Sequence, residues 1–209
     1  MSAKSWWSRW SRADSRLLEA ALGLAALLAG VFEVLLPALG VVGLVDPVDT
    51  REVETDTAAL MPGGVTDAAA GHGMTLTGLR KADLVFTDPD LGQRLLLALP
   101  QIVGGLFLLL ILALLLRLAR TLRDGDVFVP KNARRLSVVG LVVLAQAVLA
   151  PALSALTTQM LAGGTPTGDR IPFAATFSGG YVLLGFLVLA LGEAFRRGTQ
   201  LRTDVEGLV

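Results

Sequence analysis

The residue with the most pointed chemistry is a single carboxylate, Glu33, set in the middle of a long apolar run. A charge at bilayer mid-depth costs on the order of 3 kcal/mol on insertion scales, so such a group must face other helices, find a partner or give up its charge. Gln101 and Gln146 are the polar residues of the later apolar runs that join it as intramembrane candidates. Together the three suit a proton or cation site. The structural alternative is one buried carboxyl hydrogen-bonded to a neighbour such as Gln146. No second mid-membrane charge offers a relay, so the structural reading is preferred.

Other chemistries are closed off by composition. The chain has no cysteine and one histidine, His72. That excludes disulfides, thiol catalysis, iron–sulfur ligation and cysteine-based zinc sites. His72 lies between two glycines and reads as a loop residue. There is no HExxH, GxSxG or Lys-bearing phosphate loop. No enzymatic activity, catalytic residue, metal or cofactor is expected. The acidic residues between Asp46 and Asp90 lack the spacing and glycine turn of a calcium loop and read as a solvated surface.

The elements that must position these residues are membrane helices. The chain is 53% hydrophobic and 17% charged, with a mean hydropathy of +0.64, whereas a soluble domain is about a quarter charged. Four runs, 17–45, 94–122, 130–161 and 173–195, exceed the roughly 20 residues needed to span. The expected fold is an all-α integral membrane protein with four transmembrane helices and a small β-rich extracytoplasmic loop, 46–93, between the first two. In that loop Val48–Thr57, Met74–Arg80 and Ala82–Thr87 read as extended. Ala21, Ala25 and Ala29 form a small-residue stripe on the first helix. Gly179, Gly180, Gly185 and Gly192 are packing positions on the fourth. Asp46-Pro47 is expected to end the first helix, since proline cannot continue it.

Basic residues set the orientation. With both termini cytoplasmic, thirteen Lys/Arg fall inside (segment 1–16, loop 123–129 with its flanks, tail 196–209) and five fall outside (Arg51, Arg80, Lys81, Arg94, Arg170). Residues 1–16 add Trp6, Trp7 and Trp10, which favour the headgroup region. This places the chain in the cell membrane as a multi-pass protein. The zero net charge gives no reason to expect direct nucleic-acid binding.

Two stretches share a pattern. Leu122-Arg-Asp-Gly125-Asp-Val-Phe128 and Phe195-Arg-Arg-Gly198-Thr-Gln-Leu201 both read as helix ends at the cytoplasmic boundary, with arginine complementing the dipole and glycine in the left-handed position. Gly125, Phe128, Asn132, Arg134, Arg135, Glu193, Arg196 and Gly198 form a candidate cytoplasmic clasp, in which Asn132 bonds loop carbonyls and Glu193 pairs with a loop arginine. The motifs Gly125-Asp-Val-Phe128, Pro130-Lys-Asn132-Ala-Arg-Arg-Leu136 and Glu193-Ala-Phe-Arg-Arg-Gly198-Thr-Gln-Leu201 resemble the signatures of a bacterial membrane family, domain of unknown function 2975. The likeness runs from about Leu17 to the C-terminus. Val129 stands where that family is expected to carry a small polar cap. The resemblance implies no particular activity. By gene neighbourhood it implies a regulatory role beside a small helix-turn-helix regulator.

The expected function is therefore a non-enzymatic membrane sensor or regulator with the lipid bilayer and a cytoplasmic partner as its contacts. A homo-oligomer is left open. The alternative is a small transporter, channel or immunity-type membrane protein using Glu33.

Overall fold

Each apolar run folds as a helix. The computed structural model describes residues 12–56, 79–123, 129–163, 165, 171 and 173–206. Helix α1 (Arg12–Ala29) passes into a π-helical turn (Gly30–Leu35) and then α2 (Leu36–Val41). Strands β1 (Thr50–Asp56) and β2 (Leu79–Val85) follow, then the long helices α3 (Leu91–Arg123), α4 (Pro130–Ala162) and α5 (Gly179–Glu206). Among the described residues four segments are long and apolar enough to cross a membrane: Arg16–Val41, Leu91–Thr121, Pro130–Ala162 and Gly179–Leu201.

Local chemistry explains most helix ends. The first span stops at Gly43, not at Asp46-Pro47. Gly43 takes a φ of 76°, its N–H donates to the Gly40 carbonyl at 3.1 Å, and the Leu44 N–H donates to Leu39 at 3.0 Å. This is a Schellman closure, which needs the left-handed backbone that glycine adopts without strain. Helix α3 opens on a reciprocal cap. The Asp90 carboxylate accepts from the Gln93 N–H at 2.7 Å, and the Gln93 side-chain oxygen accepts from the Asp90 N–H at 3.0 Å. Helix α4 begins at Pro130 as expected, where the missing N–H costs nothing. Its first turn is tied by the Asn132 N–H donating to the Val129 carbonyl at 2.9 Å, so a backbone bond serves where a polar side chain was expected.

The fourth span differs at both ends. Residues 173–178 are irregular and the helix starts at Gly179. It then runs through Gly198, which is therefore not a left-handed terminator. The Thr199 hydroxyl donates to the Arg196 carbonyl at 2.7 Å, and Arg196 and Arg197 both pair with Glu193 one turn back. These i,i+3 and i,i+4 bonds carry the helix past a residue that costs about 1 kcal/mol relative to alanine.

Among the described residues the segment between the first two spans holds one antiparallel pair, with Thr50 opposite Val85 and Val53 opposite Ala82. Three extended stretches were expected; the end of Met74–Arg80 and most of Ala82–Thr87 merge into β2. Met74–Thr77 and His72 lie outside the described residues. Period-two alternation turns Arg51 and Val53 to the covered face of β1 and leaves Glu52 exposed.

The chain divides into two compact units. In the first (1–35, 103–149 and 177–209), α4 and α5 meet through glycines. A Cβ on Gly192 would lie 3.0 Å from the Ser137 backbone N, one on Gly140 would lie 2.9 Å from the Leu189 N, and one on Gly185 would lie 2.6 Å from Leu144 Cγ. Steps of three and four residues along α4 (137, 140, 144) match equal steps backward along α5 (192, 189, 185). The two antiparallel helices thus interlock where small residues permit close approach. Gly179 and Gly180 take no part, having no close neighbour and ordinary contact respectively. Of the alanine stripe on α1 only Ala29 is buried.

In the second unit (36–102 and 150–176), Val53 packs with Ala162, Ile171 and Leu84 in a small apolar cluster.

Candidate functional site

Three groups of polar residues stand out. The first lies where α3 ends and α4 begins. Asn132 is fully buried, and its side-chain oxygen accepts from Arg135 Nη1 at 3.2 Å. The same nitrogen donates to the Thr121 hydroxyl at 2.7 Å and the Arg117 carbonyl at 3.0 Å. Thr121 in turn donates to the Arg117 carbonyl at 2.9 Å. A helix C-terminus leaves its last carbonyls without intrahelical donors, and a guanidinium supplies donors in a fixed fork. Asn132 and Arg135 are thus brought together on the end of α3.

The rest of the expected clasp is distributed differently. Glu193 accepts from Arg196 at 2.7 and 2.8 Å and from Arg197 at 2.9 Å, both on its own helix. These take the place of the expected loop arginine. Arg134 is exposed, Gly198 sits within α5, and Gly125 and Phe128 lie outside the described residues.

The second group is the intramembrane set. Glu33 is half-buried on the π-helical turn. The expected Glu33–Gln146 bond is not formed: among the described residues Gln146, half-buried on α4, makes no hydrogen bond. What packs on Glu33 is Gly105 of α3, whose Cβ, if present, would lie 2.7 Å from the Glu33 Cβ. Gln101 is exposed on α3.

The third group was not singled out from the sequence. Arg51, half-buried on β1, donates from Nη2 to the Leu96 carbonyl at 3.1 Å and the Leu97 carbonyl at 2.9 Å. Its Nη1 donates to the Ser154 hydroxyl of α4 at 3.1 Å. The Leu96 carbonyl needs this donor because the residue four positions on is Pro100, which has no N–H and pushes that carbonyl aside. Burial draws the Arg51 guanidinium below its ordinary pKa. Nearby, Arg94 Nε donates to the Pro89 carbonyl at 2.8 Å. Its guanidinium lies against Gly43, so that a Cβ there would fall 3.2 Å from Nη1.

Beside Arg51 is a cavity of about 370 Å³ lined by Glu52 and Val53 of β1, by Ser154, Thr158 and Gln159 of α4, and by the irregular stretch through Thr176. The segment expected to begin the fourth helix therefore serves as a cavity wall. Gln159 closes one side by donating to the Ile171 carbonyl at 3.3 Å. Among the described residues no group of three or more His, Cys, Asp or Glu is placed to hold a metal ion.

No curated protein and no solved structure matches the chain. A family model does match, over residues 82–208. The match opens within β2, so α1, the π-helical turn and β1 precede it, a narrower reach than the signatures implied. It spans α3, α4, α5 and the Asn132–Arg135 cluster, and more than half of the sequence. The chain belongs to the family described as Protein of unknown function (DUF2975).

Proposed function

We propose that this is a non-enzymatic regulatory protein of the cell membrane, with both termini cytoplasmic, which reports the state of its external hairpin to a cytoplasmic partner. The observation that carries this reading is the Arg51 bridge. One side chain from a small β pair holds carbonyls of α3 and a hydroxyl of α4. Those helices also carry Thr121 and Asn132, which Arg135 joins near their other ends. A change in the hairpin thus has a covalent route along two helices. The exposed Lys131, Arg134, Arg117 and Arg120 suit an acidic protein surface or anionic headgroups, at roughly 1 kcal/mol per basic residue. A small helix-turn-helix regulator is the first partner to seek.

The test is a photo-crosslinking residue at Lys131, compared in the native membrane with and without Arg51→Gln. The expected result is a captured cytoplasmic protein whose yield changes severalfold in the variant. Lipid adducts alone, identical in both, would sink the reading.

A second reading, a small transporter, channel or immunity-type protein, is favoured by one feature: Glu33 lies on a π-helical turn, an irregularity frequent at functional positions. Glu33→Gln keeps the shape and removes the carboxyl group. Unchanged activity in the native cell would dispose of it.

A further inference from the structure

We infer that the junction of α3 and α4 holds an anionic phospholipid, with its phosphate on Arg117, Arg120, Lys131 and Arg134 and its acyl chains on the apolar rows that lead away from them. The inference goes beyond the regulatory reading and does not depend on it.

Charge is unevenly shared at this end of the helices. Residues 117–135 include six basic residues against two acidic ones, Asp124 and Asp126. Neither α3 nor α4 contains an Asp or Glu. Arg117, Arg120, Lys131 and Arg134 are all exposed. Arg135 crosses from α4 to the Arg117 carbonyl at 3.0 Å and the Thr121 hydroxyl at 2.7 Å. That bond holds the two helix ends together and brings a further positive charge against α3. The arginines of α5 differ, since Arg196 and Arg197 both pair with Glu193 on their own helix. The positive excess therefore collects at the α3–α4 junction.

Depth distinguishes a lipid from a soluble anion. The apolar spans Leu91–Thr121 and Pro130–Ala162 have 31 and 33 residues, about 46 and 50 Å at about 1.5 Å per residue. Such lengths exceed the hydrocarbon core of about 30 Å and reach through the headgroup layers, about 40–45 Å in all. The four basic residues lie within the end turns of those spans, at the depth of phosphate.

The exposed rows suit acyl chains. On α3, Leu106, Leu110, Ala113, Arg117 and Arg120 recur at steps of three and four and share one exposed face. On α4, Leu141, Val138, Arg134 and Lys131 do the same. Each row is apolar at the depth of hydrocarbon and basic at the depth of phosphate. Guanidinium groups meet a phosphate with paired N–H donors. A zwitterionic lipid brings a cation of its own into this basic cluster and is disfavoured.

The experiment is native mass spectrometry of the full chain released from detergent micelles. The probes are palmitoyl-oleoyl phosphatidylglycerol and palmitoyl-oleoyl phosphatidylcholine, which share their acyl chains. Phosphatidylglycerol is expected to bind about tenfold more tightly. Arg117→Gln combined with Arg134→Gln should remove that preference. Arg117→Lys combined with Arg134→Lys keeps the charge and should preserve most of it, which separates lost recognition from a lost fold. Arg196→Gln combined with Arg197→Gln should leave it intact. Equal binding of the two lipids, or a preference that survives the paired glutamines, would overturn the site. Displacement of phosphatidylglycerol by inorganic phosphate would do so too, since it would mark a site for a soluble anion. The Lys131 crosslinking assay fails separately. A lipid preference without protein capture removes the regulatory reading and leaves this site. Protein capture without a lipid preference does the reverse and gives the surface to an acidic protein.

Discussion

Gly105 lies so close to Glu33 that a methyl group on it would sit 2.7 Å from the Glu33 Cβ and 3.0 Å from its carbonyl oxygen. Its neighbour Gly104 has nothing within 4 Å of the same position. Gly105→Ala must separate the π-helical turn from α3, and overpacking of this kind costs about 1–3 kcal/mol. Gly104→Ala relieves only the helix penalty of glycine, a gain of up to about 1 kcal/mol. Thermal unfolding in detergent is expected to move down for the first and stay level or rise for the second. Equal midpoints would mean that the close approach is not part of the fold.

Arg51 and Pro100 give a coupled prediction. Charged hydrogen bonds contribute about 1.5–3 kcal/mol, so Arg51→Gln should lower stability by about 2 kcal/mol. Pro100→Ala restores the N–H that the Leu96 carbonyl lacks, and in that background Arg51→Gln should cost less. A double-mutant cycle on unfolding free energies measures the difference. Strict additivity would show that the guanidinium does not serve the proline defect.

The cluster at the α3–α4 junction predicts an asymmetry between neighbours. Asn132→Ala removes a fully buried acceptor of Arg135 and should destabilise by about 1–3 kcal/mol. Arg134→Ala, at an exposed position, should fall within about 0.5 kcal/mol of the parent. Similar losses at both sites would contradict the buried network. Lost regulation at wild-type stability in Arg134→Ala would mark a partner-facing surface.

Much of the architecture was legible because each apolar run is longer than a bilayer requires, and length alone identifies such helices. Their ends were not, since a helix stops where backbone bonds find other partners. Gly43 closes the first span before Asp46-Pro47 is reached, and Gly198 is carried through by Glu193, Arg196 and Thr199. At the candidate site, Asn132 and Arg135 stood out because they share a short polar stretch at one helix start. Arg51 did not: its acceptors lie 45 and 103 residues away along the chain. The one hint was Pro100, whose missing N–H implied an unserved carbonyl four residues earlier.

The absence of cysteine makes the orientation directly testable. Single cysteines introduced by Glu52→Cys and Arg134→Cys need no background substitutions. A membrane-impermeant maleimide applied to intact cells should label the first and reach the second only after permeabilisation. The opposite pattern would invert the assigned topology.

The pairing of Arg51 with the carbonyl freed by Pro100 also bears on biogenesis. Until the hairpin has formed, α3 enters the bilayer region with a hydrogen-bond acceptor that its own helix cannot serve. Lipid cannot serve it either. Final seating of α3 therefore depends on β1, a segment that precedes it in the chain. The proline thus ties the completion of α3 to the folding of the strand that carries Arg51.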